Sequence, residues 1–229
     1  MKMKKNITLL LWSLVFSSTL LAQTSFQLTT ADKKRIVTGS QLFVKSDQEI
    51  FANALLWGIE RGQQLKELIE DIDYEKLRFA MKYNIVQENG TSFASLLTIQ
   101  VTQGRLIYLV SDIKAQVSGL GGVLGASSFD KMNPEKKPKQ KQMMDEFVAL
   151  NKVQLQSMLD YVEKTSTDVS KWENIKSRQL KEGMTMKEVL LTLGKPIDVQ
   201  TTSGETTQLM YNTFTYVFMK GGRVKSFIQ

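Results

Sequence analysis

The 229-residue chain carries 30 basic and 23 acidic side chains, a formal charge of +7, and neither cysteine nor histidine. The missing cysteines exclude disulfides, thiol nucleophiles, thiolate metal sites and a lipid-modified cysteine, and the missing histidines remove the commonest general base and metal ligand. No cofactor, metal site or catalytic residue is expected, and the charge is too mild to mark a nucleic-acid partner.

The chain opens with Lys2, Lys4 and Lys5, an apolar run from Ile7 to Phe16, small residues Ser17, Ser18 and Thr19, and Ala22 before Gln23. That order reads as a signal peptide over residues 1–22, with an apolar core too short to span a bilayer. Leu20 departs from the small-x-small cleavage pattern, so a retained anchor is the alternative. Cleavage would remove three lysines and bring the net charge from +7 to +4. The expected location is periplasmic or outer-membrane associated, without a lipid anchor.

Residues 26–44 alternate weakly and suit one or two strands. Ser46-Asp47-Gln48-Glu49 is a capping box, and Ile50, Phe51, Leu55 and Ile59 then fall on one helical stripe that Gly62 ends. The period changes to two over Leu77, Phe79, Met81, Tyr83 and Ile85, and again over Phe93, Ser95, Leu97, Ile99 and Val101. Asn89-Gly90 lies between these runs as a hairpin signal, and Gln103-Gly104 turns the chain into a third run from Leu106 to Ile113. The pattern predicts an antiparallel meander with a covering helix.

Periodicity fails over residues 118–141, between Gly119, Gly121, Gly122 and Gly125 at one end and Lys136-Lys137-Pro138-Lys139-Gln140-Lys141 at the other. The segment reads as a flexible loop. A helix is expected from Gln142, with Met144, Phe147, Val148, Leu155, Met158, Leu159 and Val162 on its apolar side. Thr165 to Ser170 reads as a junction. Beyond it, Thr185-Met186-Lys187-Glu188 is a second capping box, and Gly194 with Pro196 stops the short helix. Val199, Leu209–Tyr211, Phe214–Phe218 and Val224–Ile228 read as short strands, with Gly221-Gly222 as the last turn.

Several patterns invite chemistry and are set aside on physical grounds. Ser111/Lys114 and Ser128/Lys131 share the spacing of a nucleophile and its base in penicillin-recognising enzymes, but a chain this rich in serine and lysine produces such matches by chance, and the first pair falls in a strand, where residues three apart face opposite sides. Asp71, Asp73 and Glu75 alternate like the start of a calcium loop, but Lys76 and Lys82 stand where that loop needs its Gly and Glu. The glycines from 119 to 125 lack phosphate-loop spacing. The loop's Leu120, Val123 and Leu124 are candidate partner or membrane contacts, with the basic tract beside them suited to an anionic surface. Trp57 reads first as core and second as a binding anchor.

Two stretches resemble known families. Gly183-Met184-Thr185, Val189, Leu193-Gly194-Lys195-Pro196, Tyr211, Phe218, Gly222 and Val224 resemble the SmpA/OmlA (BamE-like) family of outer-membrane assembly lipoproteins. That resemblance implies two helices on a three-stranded antiparallel sheet and a non-catalytic role through protein contacts. Residues 34–115 resemble a domain of unknown function with a TBP-like fold, found in exported Bacteroidota proteins. The features are Val37-Thr38-Gly39, Ala54-Leu55-Leu56-Trp57, Leu97-Thr98-Ile99-Gln100-Val101 and Gln103-Gly104-Arg105. "TBP-like" denotes a curved sheet with helices and implies no DNA binding.

The expected protein is thus α+β with two domains. Residues 23–166 form a meander with covering helices, the loop 118–141 and a C-terminal helix, and residues 167–229 form the smaller helix-helix and three-stranded unit. The expected function is non-enzymatic binding of an envelope protein partner, with peripheral membrane contact as a second interaction and an adaptor role in outer-membrane protein assembly as its finer form. The alternatives are a periplasmic small-ligand or glycan-binding module and a hydrolase using Ser/Lys or carboxylates.

Overall fold

The computed structural model describes residues 26–61, 69–86, 91–119, 122–202 and 206–229. The expected signal peptide, Gly62, Asn89-Gly90 and Leu120 lie outside the described residues. The fold is α+β, with a seven-stranded and a four-stranded antiparallel sheet.

The larger sheet holds β1 (Leu28–Ala31), β2 (Lys34–Leu42), β3 (Ile69–Asp73), β4 (Arg78–Val86), β5 (Thr91–Thr102), β6 (Arg105–Gly119) and β7 (Gly122–Ser128). Its order is β1-β2-β6-β5-β4-β3, with β7 also paired to β6. The alternation read from the sequence marks the buried side: Phe79, Met81, Tyr83 and Ile85 on β4, and Phe93, Ser95, Leu97, Ile99 and Val101 on β5, are all buried. Leu77 lies in the turn before β4 at φ 47°. β6 is buried on both faces from Leu106 to Val110. It is also shared along its length: residues 105–110 pair with β2, and 114–119 pair with β7. Asp112, at φ 52°, falls between the two pairings.

Two hairpins use the turn whose twist matches the strands, with both central residues at positive φ. They are Asp32-Lys33 at 50° and 63°, and Gln103-Gly104 at 53° and 72°. Gln103 adopts this conformation without being glycine, and its N–H and that of Gly104 donate to the Asp47 carboxylate at 2.9 and 2.6 Å.

The chain divides into two compact units. The first takes the described residues up to 42 with 83–99 and 105–156, and the second takes 43–82, 100–104 and 157–229. The boundary expected after residue 166 falls inside the second unit.

In the first unit, Phe93, Phe129 and Phe147 pack edge to face, with centroids 5.4 to 6.1 Å apart. Gly39 sits opposite Tyr108 in the β2–β6 register, and a Cβ there would fall on the Tyr108 ring. The stretch expected as loop 118–141 instead contains β7, a 3-10 helix (Phe129–Lys131) and the start of α2 (Pro138–Lys164). The glycines conceal the strand because β7 takes its hydrogen bonds from β6 and shows no apolar period of its own. The helix starts at Pro138, not Gln142, because a proline in the first turn forfeits only an N–H that would go unpaired.

In the second unit, α1 (Asp47–Arg61) is buried from Ile50 to Ile59 without interruption, not along one stripe. Ala52, Asn53, Ala54 and Gly58 make this possible by letting neighbours approach closely. Ser46 accepts from the Glu49 N–H at 3.2 Å, as its capping position requires. Asn53 and Lys45 satisfy the carbonyls at the C-terminus of α2: both donate to Thr165 O, at 2.7 and 2.6 Å, and Lys45 also to Val162 O at 2.7 Å. Thr167 donates to Asn53 Oδ1 at 2.6 Å. Phe51, Tyr74, Phe79 and Trp172 form a ring cluster around Phe51, which lies within 5.9 Å of each of the others.

Candidate functional site

The smaller sheet belongs to the second unit and follows α3 (Trp172–Lys176) and α4 (Met186–Leu193). Its strands are β8 (Asp198–Thr202), β9 (Thr206–Met210), β10 (Tyr216–Lys220) and β11 (Arg223–Ile228), in the order β11-β10-β9-β8. That is one strand more than the three the family resemblance implied. The Gly221-Gly222 turn has φ 57° and 74°, as the hairpin signal required.

One face of this sheet is closed. Leu209 and Val217 join Leu180, Met184, Val189, Met219 and Val224 in a buried cluster, and Met186, Leu193 and Tyr211 pack at its margin. Thr185 starts α4 with both halves of a capping box. Its hydroxyl accepts from the Glu188 N–H at 3.3 Å and its own N–H donates to Glu188 Oε2 at 2.6 Å. Glu188 is almost fully buried, and its charge is matched by Lys171 Nζ at 3.6 Å. Gly183 donates to Val224 O at 2.7 Å, and Val224 donates back to Met184 O at the same distance, so this strap lies along β11. Tyr211 is buried deeply enough that desolvation pushes its phenol well above the ordinary value.

The other notable feature is one end of the sheet. Two rows of cross-strand neighbours run there: Asp198–Met210–Tyr216–Ile228 and Val199–Leu209–Val217–Phe227. The middle of the second row is buried, and its ends are not. Ile197, Val199, Phe214, Phe227 and Ile228 are all exposed, Phe214 to 79% and Ile228 to 57%. They are five of the eight large apolar side chains exposed among the described residues. The five share one end of the sheet and not one face: Val199 and Phe227 lie on opposite edge strands, and Phe227 and Ile228 alternate to opposite sides.

Phe214 is held outward by its loop. Asn212 Oδ1 accepts from the Phe214 N–H at 2.8 Å, Asn212 Nδ2 donates to Thr215 Oγ1 at 3.0 Å, and Tyr211 N donates to Thr215 O at 3.0 Å. The Asn side chain thus imitates a backbone turn. It begins β10 at Tyr216, where alternation had placed a strand from Phe214. Asn212 was the signal available in the sequence, and the apolar run after it outweighed it.

The residues singled out from sequence are dispersed. Trp57 is 2% exposed, with the Arg61 guanidinium 4.9 Å from its ring centroid, so it offers no surface to a partner. Val123 lies on β7, paired with Ser118, and Leu124 follows it on the same strand. Gly104 and Arg105 serve the first hairpin: Gly104 bonds Asp47, and Arg105 donates to Ser40 Oγ at 3.2 Å. Gly183, Met184, Thr185 and Gly194 hold α4 and its strap, Gly194 closing the helix by donating to Leu190 O at 2.7 Å. Pro196 follows two residues later. Ser128 caps the 3-10 helix by accepting from the Asp130 N–H. Asp73 accepts from the N–H groups of Glu75 and Lys76, and its bonds to Lys76 hold the carboxyl below the usual range.

Fold and site together define an α+β protein with a small sheet exposed and apolar at one end. The solved structure of a TBP-like protein from Parabacteroides distasonis is similar over 61% of this chain and 99% of its own, with 12% identity and a TM-score of 0.52. A DUF4468 family protein from Bacteroides ovatus matches over 62% of this chain and 93% of its own, with 13% identity and a TM-score of 0.48. No family model matches the chain, and no curated protein matches its sequence. The first likeness supports the TBP-like fold.

Proposed function

We propose that this is an exported, non-enzymatic envelope protein that binds a protein partner through the apolar end of its smaller sheet. The observation that carries this reading is the exposure of Ile197, Val199, Phe214, Phe227 and Ile228, all at that end of the sheet. Covering an exposed phenylalanine or isoleucine is worth about 1.5–3 kcal/mol, so a few such side chains suffice to anchor an interface. Export rests on the N-terminal lysines, apolar run and Ala22. The non-enzymatic reading rests on a chain without histidine or cysteine. Its finer form, an adaptor related to outer-membrane protein assembly, rests on Gly183, Met184, Thr185, Gly194 and Pro196, the residues of the SmpA/OmlA resemblance. In-cell photo-crosslinking tests it. A crosslinker at Phe214 should capture one discrete envelope protein, and a crosslinker at Val153, exposed on α2, should not. Equal capture from both positions would remove the sheet end as the binding site.

A further inference from the structure

We propose a second, separate site: the concavity between the β6–β7 ladder, the 3-10 helix and the first turn of α2 binds a phosphate-class anion. It has a volume of about 410 Å³ and is lined by Lys114, Ala126, Ser127, Ser128, Lys131, Met132 and Gln140. That volume lies in the range of small-molecule sites. Every lining residue belongs to the first unit.

The register assembles it. Lys114 and Ser128 are direct cross-strand partners, so their side chains leave the same face of the ladder. Lys131 follows one short helical turn later. Two cations therefore meet at one hollow whose lining contains no carboxylate, and among the described residues neither lysine has an ion-pair or hydrogen-bond partner. The nearby acidic groups are otherwise engaged. Asp130 Oδ1 accepts from the Arg35 N–H at 2.7 Å. Asp112 pairs with Lys34 at 3.6 Å, and Asp145 with Lys141 at 2.7 Å.

The neutral groups add donors of matching sense. Ser128 Oγ accepts from Asp130 N–H at 3.3 Å, which leaves its own hydrogen to donate. Gln140 Oε1 accepts from Asn133 N–H at 2.7 Å, which leaves its NH2 group to donate. The first turn of α2 carries no acidic residue, so its dipole also favours an anion. Two ammonium groups with hydroxyl and amide donors suit a phosphomonoester, whose oxygens accept several charge-assisted hydrogen bonds.

Free metabolites and lipid headgroups both carry such a phosphate, and two probes separate these sources. Amide chemical shifts of the purified chain are followed during titration with inorganic phosphate. Flotation is measured with phosphatidylcholine vesicles, with and without phosphatidic acid. Saturable shifts at Ser127, Ser128 and Lys131 support a free-phosphate site. Flotation that requires phosphatidic acid supports a headgroup site. In either case Lys114→Gln with Lys131→Gln should weaken binding about 10-fold or more, as loss of charge-assisted hydrogen bonds implies, while Lys152→Gln should not. An unchanged melting temperature checks that the variants fold. Absence of saturable binding to both probes, or an equal loss in Lys152→Gln, would overturn the site.

Discussion

The two sheets use apolar residues differently. In the larger sheet, Phe93, Leu97 and Ile99 on β5 and Leu106, Tyr108 and Val110 on β6 are buried along the strand. In the smaller sheet, Leu209 and Val217 are buried in mid-row while Val199 and Phe227, at the ends of that same row, are exposed. A row buried throughout builds a scaffold. A row left open at its ends retains apolar surface that a partner can cover, and at the same end Ile228 presents apolar surface on the other side of the sheet. Stability and binding should therefore separate cleanly between the two kinds of residue.

The largest stability effect should come from the ring cluster. Phe51→Ala removes a side chain with no exposure that touches Tyr74, Phe79 and Trp172, and should cost about 3–5 kcal/mol by urea denaturation. A cost below about 1 kcal/mol would mean that these rings are not a core. Asn53→Ala comes next. It leaves the Thr165 carbonyl and Thr167 hydroxyl without a partner they now have, and should cost about 2–3 kcal/mol. A Thr167→Ala background should shrink that cost if the shared hydrogen bond is real.

The alkaline limb of stability sharpens the same contrast. Burial pushes the Tyr74 phenol up to about 12, and its hydroxyl donates to Leu191 O at 2.7 Å. The unfolded value is about 10, so the fold favours the neutral phenol. That contribution is fully present below about pH 10 and is lost as pH rises through about 12. Tyr74→Phe should flatten the decline in melting temperature over this window, and an unchanged slope would contradict the assignment. A smaller effect is expected for Thr185→Ala, about 1 kcal/mol from the lost cap on α4. Thr185→Ser should restore most of it.

Much of the fold is legible because its causes are local. The two-residue period of β4 and β5, the Thr185–Glu188 capping box and the Gly221-Gly222 turn each depend on a few neighbouring residues. What could not be read is non-local. The pairing of β2 with β6 joins Val37 to Val110, and no local pattern encodes it. β7 depends on β6 for its hydrogen bonds, so its glycines look like loop. α1 has small residues where polar ones would mark an outer face, and Asn53 looks ordinary until the end of α2 is placed against it. At the candidate site, the strands were legible, but the outward turn of Phe214 depends on one Asn212 hydrogen bond that the apolar run around it obscures. Trp57 agrees with its first reading as core at 2% exposure, and the second reading as a binding anchor falls.

The smallest stability effect and the most direct test meet in one variant. Phe214→Ser with Ile228→Ser alters two side chains that are 79% and 57% exposed. It should change folding stability by no more than about 0.5 kcal/mol per site. The decisive measurement is capture of the envelope partner by this folded variant beside the parent chain in the same crosslinking experiment. The account predicts at least a roughly 10-fold loss of capture, the equivalent of about 1.4 kcal/mol of lost contact. Capture equal to that of the parent chain would contradict it.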